Sequence, residues 1–243
     1  MLPELYNAHH SLHQDDLSFW MKIAEQAKPP LLELGCGTGR VLIPLAQKGY
    51  QIIGMDHDSG MLSVLSKALP EALHSRAQIF QASFTAFRLA MKFGAILLTC
   101  NTYSTLDYKD RQAVLERALE HLQPDGVFAV SMPNPLLLKR LPRYGAPEVE
   151  DIFPHPLDGE PVQVSSEWER QHESFTVYWH YDHLLSNGVT ERSTAQARHY
   201  LLAPQRHQNE FKAAGFNRLS LIGDYDGSAF TPASSQLIIL ASK

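Results

Sequence analysis

Three glycines stand two residues apart in Leu31-Leu32-Glu33-Leu34-Gly35-Cys36-Gly37-Thr38-Gly39-Arg40. An apolar run leads into them, and Val41, Leu42, Leu45 and Ala46 follow at helical spacing. Strand, glycine turn and helix in that order put backbone N–H groups and a helix N-terminus at the mouth of a ligand crevice. Glycine reaches positive φ there and lets a ligand approach the backbone. The expected chemistry is binding of a nucleotide-like molecule. Asp56 ends the next apolar run, and a carboxylate at that place can accept hydrogen bonds from both hydroxyls of a ribose.

Other reactive residue types point less clearly. Cys36 and Cys100 fall at the C-terminal ends of predicted inner strands. Cys100 is either a nucleophile, with no partner base marked in the sequence, or a small buried hydrophobe. Two cysteines make no disulfide framework, so a reducing cytoplasm is the expected compartment. Among twelve histidines, His9, His10 and His13 cluster, and His180 and His183 bracket Tyr181-Asp182. Strand positions three apart face opposite sides, and no group has zinc-finger spacing, so no metal is expected. His13 is the candidate general base, against a plain solvated histidine.

The elements that position these residues read as an α/β alternation. A helix is predicted over 14–26, with Asp15 and Asp16 near its start, and Pro29-Pro30 stops it. Strands follow over 31–34, 51–55, 77–81, 93–99 and 127–132, with helices over 40–48, 58–69 and 107–122. This predicts a Rossmann-like, doubly wound, seven-stranded and mostly parallel sheet with an antiparallel last strand. Seven prolines between Pro133 and Pro161 then exclude regular helix. Three period-two runs follow, around Val162–Trp168, Phe175–Tyr181 and Val189–Leu201, and predict an inserted three-stranded antiparallel meander. A late helix over 204–214 and strands over 217–222 and 236–241 return to the main sheet. The expected division is an N-terminal lid over 1–28, a ligand-binding domain over 29–134 and 202–243, and an inserted β subdomain over 135–201.

Length and charge bound the partners. The 243 residues can bury one sizeable core with an elaboration. Twenty-one basic against 26 acidic residues give a net charge of -5, and the longest basic stretch is Leu138-Lys139-Arg140. Nucleic acid is therefore not an expected partner. The start Met1-Leu2-Pro3-Glu4 does not resemble a secretory leader, and no apolar run is long enough for a membrane span.

The glycine spacing discriminates between nucleotides. Gly35, Gly37 and Gly39 fill G-x-G-x-G, and Arg40 occupies the position where a dinucleotide fingerprint needs its last glycine. Glu33-Leu34-Gly35-Cys36-Gly37-Thr38-Gly39 instead resembles the first motif of class I S-adenosylmethionine-dependent methyltransferases. Asp56 and Asp58-Ser59-Gly60-Met61-Leu62, Gln81-Ala82-Ser83-Phe84, and Leu97 to Tyr103 resemble the motifs after the next three strands, with Ser83 where the family often has an acid. The resemblance extends over nearly the whole chain. In its C-terminal part, at Ala213-Ala214-Gly215-Phe216 and 223–227, it is similar to members that methylate small amines, sugar and glycine N-methyltransferases among them. It implies S-adenosylmethionine as cofactor, held at Tyr6, Gly35, Cys36, Gly37, Asp56, His57, Met61, Ala82, Ser83, Phe84 and Cys100. Phe84 is either an adenine wall or core packing.

It also implies a small-molecule acceptor, most simply an amine nitrogen, beside His13, Asn101, Tyr103 and Tyr178. Alternation lets only one of Tyr178 and Trp179 face that site. O- or C-methylation, an NAD-dependent oxidoreductase and a non-catalytic binder stay open as alternatives. Aromatic residues of the insertion cover either the acceptor, a local core or a homodimer surface.

Overall fold

The computed structural model describes residues 2–243. Its main sheet has seven strands: β1 Leu31–Leu34, β2 Ile52–Asp56, β3 Ala77–Gln81, β4 Phe93–Leu98, β5 Leu122–Pro133, β10 Arg218–Ile222 and β11 Gln236–Ser242. Their order is β10-β11-β5-β4-β1-β2-β3. β11 runs antiparallel to both β5 and β10, and the other neighbouring pairs are parallel. Every residue of β1, β2 and β4 is buried, as strands covered on both faces must be.

Helices cover the two faces. α2 Leu17–Gln26, α3 Leu42–Gln47 and α4 Ser59–Ala68 lie over a core that includes Trp20, Leu45, Leu65 and Ile52. α5 Tyr108–His121 and α7 Pro204–Ala214 close the opposite core, where Phe128, Phe211 and Phe216 stack at 5.5–6.0 Å. Because β1 is flanked by β4 on one side and β2 on the other, the strand order reverses at β1. A ligand crevice is expected outside the carboxyl ends of the strands at such a point.

Two helix boundaries in this half need correction. The helix predicted over 14–26 begins at Leu17, and a separate helix α1 Leu2–His10 precedes it. Asp16 at the N-cap is itself in helical conformation and caps nothing; its carboxylate is taken by Trp20 Nε1 and Arg40. α3 starts two residues later than predicted, which puts Pro44 in its first turn, where no intrahelical N–H is required.

The inserted sheet has four strands, not three: β6 Tyr144–Pro154, β7 Pro161–Arg170, β8 Ser174–Leu184 and β9 Thr190–Tyr200, paired antiparallel in chain order. The proline-rich stretch conceals β6. Pro147 and Pro154 are tolerated because β6 is an edge strand, and its pairing with β7 shifts register around Glu148 and between Val149 and Asp151. Between the two sheets, the short helix α6 Pro135–Leu138 is capped by Asn134, which accepts from Leu136 N–H at 3.0 Å. Among the described residues, no helix is long and apolar enough to cross a membrane.

Candidate active site

The glycine turn is tied to the end of β2. Gly35 and Cys36 both donate their N–H to the carbonyl of Met55, at 2.8 and 3.0 Å. Gly37 donates to Asp56 Oδ2 at 2.8 Å, and Asp58 N–H donates to Asp56 Oδ1 at 2.9 Å. Gly37 sits at φ +53 with nothing within 4 Å of where a Cβ would project, so its backbone faces open space. Asp56 is largely buried, and each of its oxygens keeps lone-pair capacity beyond these bonds. Asp58 caps α4, accepting from Gly60 and Met61 N–H at 2.7 and 3.1 Å.

A crevice of about 810 Å³ opens from this turn, within the range of small-molecule sites. Tyr6, Gly35, Cys36, Gly37, Asp56, His57, Met61, Phe84 and Cys100 line it together, joined by His13 and Asn101. It continues under α1 and the inserted sheet, where Phe175, Val177, Trp179, Ala195 and Ala197 form the far wall.

Four predicted positions lie outside the lining. Ala82 donates its N–H to the carbonyl of Asp56 at 3.0 Å, and Ser83 Oγ pairs with Thr85 Oγ1 at 2.8 Å. Both shape the turn behind the crevice. Tyr103 is fully buried, 5.6 Å from the rings of His207 and Phe211. The 3₁₀ turn Thr102–Thr105 leaves Thr102 and Thr105 on the crevice and turns Tyr103 into the core. Tyr178 faces away because β8 alternates. Its neighbours Val177 and Trp179, paired with Ala197 and Ala195 of β9, take the inner face.

Cys100 and Asn101 end β4 at φ +54 and +61. Two successive non-glycine residues in the left-handed region store strain at the crevice floor. Cys100 Sγ accepts from Arg40 Nη2 at 3.0 Å. Burial pushes its thiol up from the ordinary value despite Arg40, which favours the protonated, unreactive form.

Arg40 is the main residue that sequence reasoning missed as part of the site. Its guanidinium grips Asp16 in a bidentate pair at 2.5 and 2.7 Å and donates to the carbonyl of His13 at 3.1 Å. Burial disfavours its charge, but the Asp16 carboxylate outweighs that and holds its pKa above the ordinary value. Its place directly after the third glycine was the available signal; its partner lies 24 residues upstream. Beneath the turn, burial raises Glu33 to about 8 even though Thr99 Oγ1 donates to it at 3.0 Å.

Two neutral imidazoles also line the crevice. His10 Nδ1 must donate to the carbonyl of Tyr6, 3.2 Å away, so its Nε2 carries the lone pair. Ser104 Oγ spends its proton on the carbonyl of Asn101, so His199 Nδ1 is the donor to it at 2.8 Å and Nε2 is again the acceptor. Burial lowers His10 to about 3 and His199 to about 4. Neither the helical position of His10 nor the strand position of His199 signals that burial.

Residues 31–126 match the model of a family described as a methyltransferase domain. A dTDP-3-amino-3,6-dideoxy-alpha-D-glucopyranose N,N-dimethyltransferase of Streptomyces fradiae is 29% identical over 140 residues, 53% of this chain and 52% of that protein. The chain spans about half the length of the curated relatives it matches. Among solved structures, an S-adenosylmethionine-dependent methyltransferase from Clostridium acetobutylicum superposes with a TM-score of 0.80 at 15% identity, over 98% of this chain and 96% of that one. The amino pentose methyltransferase CalS10 of Micromonospora echinaspora, solved with S-adenosylmethionine bound, superposes with a TM-score of 0.70 at 18% identity, over 97% and 91%. Residues 31–126 thus resemble a methyltransferase domain, and the chain as a whole has the fold of the class I S-adenosylmethionine-dependent methyltransferases.

Proposed function

We propose that this protein transfers the methyl group of S-adenosylmethionine to the nitrogen of a small amine-bearing molecule of amino-sugar type. One observation carries the reading. A single crevice runs from Gly37 and Asp56, where a nucleoside fits, to a wall of Val177 and Trp179 under the inserted sheet. The donor set suits the cofactor: Asp56 keeps acceptor capacity for ribose hydroxyls, and the open backbone at Gly37 leaves room beside it. Phe84 and Met61 supply apolar walls for the base. Arg40 is committed to Asp16 and Cys100, so it is not free to grip a pyrophosphate, which disfavours a dinucleotide.

Bound S-adenosylmethionine supplies an electrophilic methyl on a sulfonium whose leaving group needs no protonation. What remains for the chain is alignment and exclusion of water. α1 and the inserted sheet roof the crevice, and Trp179 gives the acceptor a flat apolar surface. The Nε2 atoms of His10 and His199, neutral through burial, can accept N–H groups of the incoming amine and hold its lone pair free. The relatives named for amino-sugar substrates favour nitrogen over oxygen or carbon. Titration with S-adenosylmethionine tests the cofactor half. Asp56→Ala is expected to weaken binding at least tenfold, through two lost charge-assisted bonds. Unchanged affinity, or tighter binding of a nicotinamide dinucleotide, contradicts it.

The same reading includes pairing of two chains through the inserted sheet. Its edge strand β6 exposes Val149 at 58% and Ile152 at 66%. An apolar edge is a template for association. Light scattering is expected to give a dimer mass that Ile152→Lys reduces to a monomer; a wild-type monomer contradicts pairing.

A further inference from the structure

Three possible metal ligands, His9, His13 and Asp151, meet where α1 and the turn after it pack against β6, and Glu150 lies beside His9. His9 is almost fully buried, and its Nε2 has no hydrogen-bond partner. Asp151 Oδ2 lies 3.4 Å from that nitrogen and Glu150 Oε2 lies 3.5 Å from it. His13 Nε2 is 3.0 Å from the same Asp151 oxygen. Two neighbouring atoms are already occupied: His9 Nδ1 pairs with Tyr181 Oη at 3.2 Å, and Glu150 Oε1 accepts from Ser166 Oγ.

The two His9 separations suit a cation better than they suit hydrogen bonds. The His9 contacts exceed the usual 2.7–3.2 Å of N–H···O bonds. In a tetrahedral site with ligands about 2.05 Å from zinc, the donors stand about 3.3 Å apart. The three measured spacings of 3.0, 3.4 and 3.5 Å bracket that value. Tyr181 fixes the His9 ring through its far nitrogen, as an outer partner of a ligating histidine does. We propose that His9, His13 and Asp151 bind one divalent transition-metal ion, with zinc best suited to two imidazoles and a carboxylate, and that Glu150, next to His9, moves in as the fourth ligand when the ion binds.

The spacing of His9 and His13 alone predicts no metal, because Asp151 completes the set from 138 residues away. In a second group, His155, Asp158 and His183, the two rings lie stacked at 4.0 Å and 11°. Parallel rings do not converge on one ion in tetrahedral geometry. The proposed ion clamps the N-terminal segment, whose Tyr6 and His10 line the crevice, onto the inserted sheet. It has a structural role and takes no part in methyl transfer.

The test is calorimetric titration of Zn²⁺ into full-length protein stripped with a chelator, with thermal unfolding followed in parallel. The expected result is one high-affinity zinc per chain and a raised Tm. Asp151→Asn, which is isosteric, and His13→Gln, at an exposed side chain, are each expected to weaken binding at least tenfold and abolish the Tm shift. His183→Gln is expected to leave both intact. No zinc binding by the wild type, undiminished binding in both variants, or loss confined to His183→Gln would each overturn the assignment. None of these readouts depends on S-adenosylmethionine binding, so the metal site and the methyltransferase reading fail separately.

Discussion

Asp56 holds two backbone N–H groups of the turns around it, and in the proposed complex it holds the ribose as well. Its place at the end of an apolar strand marked it in the sequence as a site candidate, and it does line the crevice. Glu33 shows what spacing does not reveal. Its burial keeps it protonated up to about pH 8, against an ordinary value of 4.5. Between those values the unfolded chain releases the proton and the folded chain retains it, so stability falls as pH rises. Glu33→Gln lacks that dependence. Its Tm relative to wild type is expected to climb from pH 5 to 8 and then level off; a constant difference contradicts the assignment. His10 acts in the opposite direction. With a folded value near 3 against 6.5, its contribution is complete above about pH 6.5 and is lost on acidification toward 3. His10→Asn is expected to flatten the fall in Tm between pH 6 and 4. Neither histidine of the crevice wall was legible, because burial by distant elements makes each one neutral.

At the scale of elements, the Arg40–Asp16 pair joins the glycine turn to the start of α2 and, through His13, to the segment that roofs the crevice. Both side chains are largely buried, at 15% and 8% exposure. Removing one charge leaves the other buried and uncompensated, which costs about 3–5 kcal/mol. Asp16→Asn is expected to lower the urea midpoint accordingly with an unchanged slope, and adding Arg40→Met to recover part of it. Equal midpoints for wild type and Asp16→Asn contradict a coupling role. The glycine turn, the buried strands and the last three strands of the inserted sheet were legible because each is a local pattern. β6 was hidden because an edge strand tolerates prolines and a shifting register. Tyr103 and Tyr178 were misplaced for a related reason. Which side of a turn or strand meets the crevice depends on the phase with which it docks, and sequence spacing leaves that phase open.

For the whole molecule, the doubly wound sheet sets the glycine turn and Asp56 at its switch point, and the insertion with α1 closes the space above them. The glycine turn and Asp56 belong to neighbouring motifs, so their meeting on one crevice wall was readable. The far part of the crevice is assembled from residues 10–16, 101–106, 175–199 and 225, which only the fold brings together. The central claim is catalytic: methyl transfer to a small amine. The most direct measurement incubates the protein with methyl-labelled S-adenosylmethionine and a panel of amino-sugar nucleotides and matched hydroxyl analogues, then follows label into product. The predicted result is incorporation at nitrogen in at least one amino sugar, none in its hydroxyl counterpart, and loss with Asp56→Ala. Tight cofactor binding with no label transferred to any amine, or label found only on oxygen or carbon, would contradict it.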